Sequence, residues 1–73
     1  MINKRLLKKE YEHIRDNGPV STEWTTETPA RAKRFVFLRK IGAIVRDKDD
    51  KRDHSPYCVY ICDDEAFKEG VEG

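Results

Sequence analysis

The sequence lacks the features that mark several well-defined classes of protein. It has no apolar run long enough to span a membrane and no secretory signal, so we expect no membrane segment. It has two cysteines, which in a chain without secretory features indicates reduced thiols in a cytoplasm. With 73 residues it has room for one small domain, spanning residues 1–73, with a thin core.

The net charge is also small, at +1 from 15 basic and 14 acidic side chains. A dedicated nucleic-acid-binding domain of this size is usually strongly positive, so any basic patch here is balanced by acidic residues elsewhere. Basic side chains gather at residues 4–9 and 31–46, and acidic ones from Asp63 onward. This segregation favours a protein partner of complementary charge.

No set of residues marks a metal site or a catalytic centre. Asp47-x-Asp49 begins like a calcium loop, but Arg52 and Cys58 stand where such loops need Gly and Glu. Zinc would have to join the two cysteines to two distant histidines, whereas tetrahedral sites use closely spaced pairs. No nucleophile is accompanied by a base and an orienting group. We therefore predict no enzyme activity, no metal and no cofactor.

Two amphipathic helices are the clearest local structures. The first is predicted over residues 4–17, where Asn3 caps its start and Gly18 ends it. The second is predicted over residues 29–41, with Thr28 as its cap and proline in the first turn. Each helix has an apolar stripe that requires a core to pack against.

The segment between the two helices, residues 20–27, allows two interpretations. Ser21 or Thr22 can cap one short helical turn that carries Trp24 inward. Alternatively, a short first strand runs through Val20. The run of threonines, followed by proline, disfavours a long helix here.

The second helix leads directly into a predicted antiparallel hairpin. Its strands are residues 43–46 and 57–62, joined by the charged loop 47–56. An acidic tail follows from about residue 63, and we predict that it is disordered beyond Gly70. These elements predict a small α+β, winged-helix-like domain of two main helices and an antiparallel β-hairpin. The predicted core residues are Leu7, Tyr11, Ile14, Trp24, Phe35, Leu38, Ile41, Ile44, Val59 and Ile61.

The basic residues of the second helix and of the loop form the candidate partner-binding surface. Lys33, Val36 and Lys40 are three, four and seven residues apart, so they share one ridge of the helix. The alternative is that these charges only keep the exposed side of the helix in contact with water. The candidate partner-binding residues are Arg31, Lys33, Arg34, Lys40, Lys48, Lys51 and Arg52.

The segment Phe37–Arg46, with residues 50–53 and 59–61, resembles the recognition helix and wing of winged-helix transcription regulators of the multiple-antibiotic-resistance repressor type. Those proteins carry a leucine, a glycine four residues later, an apolar strand ending in arginine, a charged wing and a returning apolar strand. Leu38 and Gly42 match the first two features. The resemblance implies DNA binding, but the family's flanking dimerisation helices are absent and the wing is charge-balanced.

In its size and mixed charge, the whole chain also resembles the small early transcription regulators of lytic bacteriophages, of the Xanthomonas phage type. This resemblance implies a protein that binds bacterial RNA polymerase, inhibits initiation and assists antitermination. It implies a monomer in the host bacterial cytoplasm, with no residue roles carried over. A winged-helix DNA-binding regulator is the alternative.

Overall fold

The computed structural model describes residues 2–72 and has an α+β fold, as predicted. Over that range no helix has both the length and the apolar character needed to cross a membrane. The elements, in chain order, are α1 (Lys4–Asn17), β1 (Val20–Ser21), α2 (Thr22–Thr25), α3 (Pro29–Lys40), β2 (Ile44–Arg46), β3 (Tyr57–Cys58), β4 (Tyr60–Cys62) and α4 (Asp64–Glu72).

Both long helices begin and end at the signals that predict them. The Asn3 side chain accepts hydrogen bonds from the first backbone N–H groups of α1, and Gly18 follows the helix with φ +75°. The Thr28 hydroxyl accepts a hydrogen bond from the Arg31 N–H at the start of α3. Helix α3 ends one residue earlier than predicted, and Gly42 takes φ +77° just beyond it. Local capping chemistry therefore fixes both helices.

The segment between the two long helices combines the two interpretations of the sequence. Val20 and Ser21 form strand β1, and the next four residues form the short helix α2. The Ser21 hydroxyl caps α2 by accepting a hydrogen bond of 3.1 Å from the Glu23 N–H. Trp24 is only partly buried, whereas Thr25 is buried.

The predicted hairpin is confirmed for residues 44–46 with 60–62 and is wrong for residues 57 and 58. Strand β2 pairs antiparallel with β4, with Val45 opposite Ile61, but β3 pairs with β1 instead, with Val20 opposite Cys58. The predicted strand 57–62 therefore contributes its two halves to two different two-stranded sheets. The winged-helix assignment stays a prediction.

Val59 separates the two halves of that strand because it bonds to the charged loop. Its carbonyl accepts a hydrogen bond from the Asp47 N–H at 2.9 Å, and its N–H donates to the Asp53 carboxylate at 2.9 Å. The in–out alternation breaks at this point, so Cys58 and Val59 are both buried. Ile61, predicted in the core, is instead 58% exposed.

The core lies where α1, α3 and β2 meet. Its largest fully buried side chains are Leu7, Tyr11, Ile14, Leu38 and Ile44, all of them predicted. Val20 and Ala43 complete the cluster, while Trp24, Phe35 and Ile41 pack around it with part of their surface exposed.

The acidic tail forms helix α4, so the prediction of disorder beyond Gly70 is wrong for residues 71 and 72. Gly73 lies outside the described residues. Phe67 stacks on Tyr11, with ring centroids 4.4 Å apart. Gly70 lies against Ile41 so closely that a Cβ at this position would come within 2.6 Å of the Ile41 side chain. A missing side chain thus lets α4 pack on the end of α3.

Candidate protein-interaction face

The two arginines near the start of α3 are part of the fold. Both pair with Glu10 of α1, whose side chain is only 10% exposed. The Arg31 Nε lies 2.8 Å from one carboxylate oxygen, and the Arg34 Nε pairs with the other. Breaking such a buried pair on one side leaves an uncompensated charge. These two candidate residues therefore hold α3 against α1.

Arg31 makes further contacts that fix its position. It reaches Glu27 at 3.1 Å, and its guanidinium lies 4.7 Å from the centre of the Trp24 ring. The His13 ring stacks on the same indole, with centroids 4.3 Å apart. Cation–π and stacking contacts of this kind fix α2 between the two long helices.

The opposite side of α3 carries basic residues that the fold does not use. Lys33 and Lys40 are exposed, and Val36 between them is 59% exposed although it is apolar. Arg39, three residues after Val36, is also exposed. Within residues 2–72 none of these three basic side chains forms an ion pair. We call Lys33, Val36, Arg39 and Lys40 the outer face of α3.

The charged loop is held by two arginine–aspartate pairs, one of them from Arg46 at the end of β2. Arg46 donates two hydrogen bonds to Asp53, whose side chain is only 4% exposed, and Arg52 donates likewise to Asp50. The hydrogen bonds from Arg52 lower the pKa of Asp50 to about 2. The hydrogen bond from Arg46 is the main cause that lowers the pKa of Asp53. The loop is therefore largely neutralised from within.

The three candidate residues of the loop do not extend the outer face of α3. Lys51 and Arg52 line a shallow depression with Pro19, His54 and Tyr57, to which α3 contributes no residue. Lys48 is exposed on the loop. The seven candidate residues thus divide into three sets: an ion-paired set, an outer helix face and a loop.

Sequence reasoning missed two residues that matter here. Arg39 belongs to the outer face of α3, and its spacing of three from Val36 is a signal that the sequence contains. Glu10 has no such signal, because the sequence of α1 does not reveal that this carboxylate is buried against two arginines of α3. Among residues 2–72, no three or more His, Cys, Asp or Glu side chains come together as a metal site would require.

No protein-family model, curated protein or solved structure matches this chain.

Proposed function

We propose that this chain is a transcription regulator of the lytic-phage type, which binds bacterial RNA polymerase in the host cytoplasm, inhibits initiation and assists antitermination. The identity of the partner rests on the resemblance of the whole chain to such regulators. The observation that carries the proposal is the outer face of α3, where exposed Val36 lies among three basic side chains that form no ion pair with any residue from 2 to 72. An apolar centre with a charged rim is typical of a protein-binding surface.

The charge distribution supports a protein partner over nucleic acid. The chain has a net charge of +1, and Arg46 and Arg52 are paired with aspartates of the loop. Helix α3 is anchored in the core by Leu38, so its backbone is already ordered before binding. Binding through its outer side chains therefore costs little backbone entropy. We expect the chain to bind as a monomer, with this face against an acidic surface of the polymerase.

The test compares binding of the wild type and of variants to purified bacterial RNA polymerase. Reversing Lys33→Glu and Lys40→Glu together should weaken binding by roughly tenfold or more, because both charges would then repel an acidic surface. The matched control reverses Arg5→Glu and Lys9→Glu, which lie on exposed positions of α1 and change the net charge equally. Equal affinity of the α3 variant and the control would overturn the assignment of this face.

The loop provides the second arm of the same experiment. Reversing Lys48→Glu and Lys51→Glu asks whether the loop contacts the polymerase, since neither lysine is paired within residues 2–72. A loss confined to the loop variant would move the contact from α3 to the loop. Failure of the wild type to bind polymerase at all would overturn the proposed function itself.

A DNA-binding winged helix is the second candidate, favoured by one observation. Helix α3 runs directly into β2 and the loop, and the loop acids Asp50 and Asp53 are paired, so they repel phosphate less than the sequence indicates. The discriminating measurement is a salt titration of binding to duplex DNA. A steep fall of affinity with salt supports this candidate, because neutralised phosphates release counterions. Negligible affinity at low salt excludes it.

A further inference from the structure

Helices α1 and α4 enclose a groove of about 510 Å³ on a different surface from the outer face of α3. Its apolar floor is formed by Phe67 and Val71, which are partly exposed, and Phe67 stacks on the buried Tyr11 beneath it. A second concavity of about 250 Å³ adjoins it and is lined mainly by apolar residues, among them Leu7 and Phe37. The two concavities share Lys4 and Val71, so they lie next to each other.

One end of the groove is fixed by polar contacts. The Asp64 carboxylate accepts a hydrogen bond of 2.6 Å from the Tyr11 hydroxyl and another of 3.2 Å from Arg15. Arg15 also pairs with Asp16 at 2.9 Å. Arg15 is therefore shared by several carboxylates, and the contact of Asp64 with Tyr11 ties the start of α4 to α1.

The rest of the rim has an excess of positive charge. Lys4, Lys8 and Lys68 are exposed and line the groove, and none of them forms an ion pair within residues 2–72. Glu72 is the acidic lining residue on that side. Glu12 lies beside Arg15, at 4.0 Å. An apolar floor with a basic rim complements a ligand that is apolar on one side and acidic at its edges.

We propose that this groove binds a short amphipathic helix of a protein partner, with its apolar side chains on Phe67 and Val71 and its acidic side chains toward Lys4, Lys8 and Lys68. From Lys4 to Arg15 the wall of α1 rises by about 16 Å, which matches about three helical turns of a ligand. The groove is a second binding surface. It depends neither on the outer face of α3 nor on the identity of the polymerase as a partner.

The test uses a fluorescein-labelled synthetic helix as the probe. It has about 12 residues, with Leu at positions i, i+3, i+4 and i+7 and Glu at the flanking positions. Two control peptides replace every Glu by Lys or every Leu by Ser. We expect fluorescence anisotropy to show saturable binding of the Leu–Glu peptide and of neither control peptide. We also expect the NMR amide shifts of α1 and α4 to change when that peptide is added.

Variants of the full chain locate the binding. Lys8→Glu with Lys68→Glu should weaken the acidic peptide roughly tenfold, which corresponds to about 1.4 kcal/mol. Lys33→Glu with Lys40→Glu, the matched change on α3, should leave its affinity within about twofold. All four lysines are exposed, so far-UV circular dichroism should show each variant folded.

Several outcomes would overturn the proposal. They are equal binding of the basic peptide, no binding of the acidic peptide at ~1 mM, and amide shifts confined to α3. Two other occupants of the groove would do the same. One is an anionic phospholipid membrane, measured by binding to vesicles, and the other is a second copy of the chain, measured by sedimentation. Either would replace the helix as the occupant if the association is lost in the Lys8→Glu, Lys68→Glu variant.

Discussion

Helix α3 carries basic side chains on two of its faces, and the two sets have different surroundings. Arg31 and Arg34 face α1, are 24% and 13% exposed, and share the carboxylate of Glu10. Lys33 and Lys40 point to water and pair with nothing within residues 2–72. The same residue class in the same helix therefore stabilises the fold on one face and is left available for a partner on the other.

The difference comes from the neighbour and not from the helix. A helix places residues 31 and 34 on one side by its period alone, but only the packing of α1 brings Glu10 to them. An arginine suits that position because its planar fork can bond a carboxylate while its stem packs on apolar surface. A lysine suits an exposed rim as a hydrated point charge.

The largest expected effect comes from removing the shared carboxylate. Glu10→Ala should lower the free energy of unfolding by ~3–5 kcal/mol, because it leaves the largely buried Arg34 without a counterion and Arg31 with only the exposed Glu27. Urea denaturation followed by circular dichroism measures it. Glu12→Ala on the same helix is the control, since Glu12 lies in an exposed pair. Equal effects of the two variants would mean that the inner face gains nothing from its ion pairs.

The next effect concerns the apolar anchor of the inner face. Leu38 is 0% exposed, and Leu38→Ala should cost ~2–5 kcal/mol through lost burial and the cavity left behind. The matched control is Val36→Ala on the outer face, which should change stability by less than about 0.5 kcal/mol because Val36 is 59% exposed. Thermal melting of the two variants measures both effects. An unchanged melting midpoint for Leu38→Ala would contradict its placement in the core.

Acid provides a third and more local test, in the loop. The pKa of Asp50 is lowered to about 2 and that of Asp53 is lowered as well, so each group stabilises the folded loop above its ordinary pKa near 4. That contribution is lost as the pH falls from about 4 toward 2. We expect the amide signals of residues 47–54 and Val59 to broaden or shift over this window before those of α1. A loop unaffected down to pH 2 would contradict the role of the two pairs.

The smallest expected effect is on the outer face itself. Lys33→Glu with Lys40→Glu should change the free energy of unfolding by less than about 0.5 kcal/mol, because neither lysine contacts a charged group within residues 2–72. Chemical denaturation of the double variant measures it. A loss comparable to that of Glu10→Ala would show that both faces of α3 serve the fold.

The sequence predicts the elements whose signals are local. Asn3, Gly18, Thr28 and Gly42 mark the ends of α1 and α3, and each takes the role that its chemistry favours. The spacing of apolar residues likewise places Leu7, Ile14 and Leu38 in the core. These predictions depend on neighbours within one helical turn or on the helical period.

The features that the sequence does not predict depend on distant contacts. The alternation of residues 57–62 indicates one strand, but the change of partner at Val59 is decided by Asp53 and by β1. The exposure of Ile61 follows from that change. Helix α4 continues beyond Gly70, where the glycine packs closely against the side chain of Ile41, a residue distant in sequence. The spacing predicts Lys33, Val36 and Lys40 of the outer face, but not their separation from the ion-paired arginines.

The interruption at Val59 also bears on how the molecule responds to a ligand. One chain segment supplies a strand to both sheets, and the residue between the strands ties them to the loop. Opening either sheet should therefore loosen its counterpart, so that β1 to β4 act as one cooperative unfolding unit. By mass action, a partner that binds only the folded chain stabilises this whole unit, whichever face it contacts. In a domain of this size, a partner bound at one surface should then slow amide hydrogen exchange throughout both sheets.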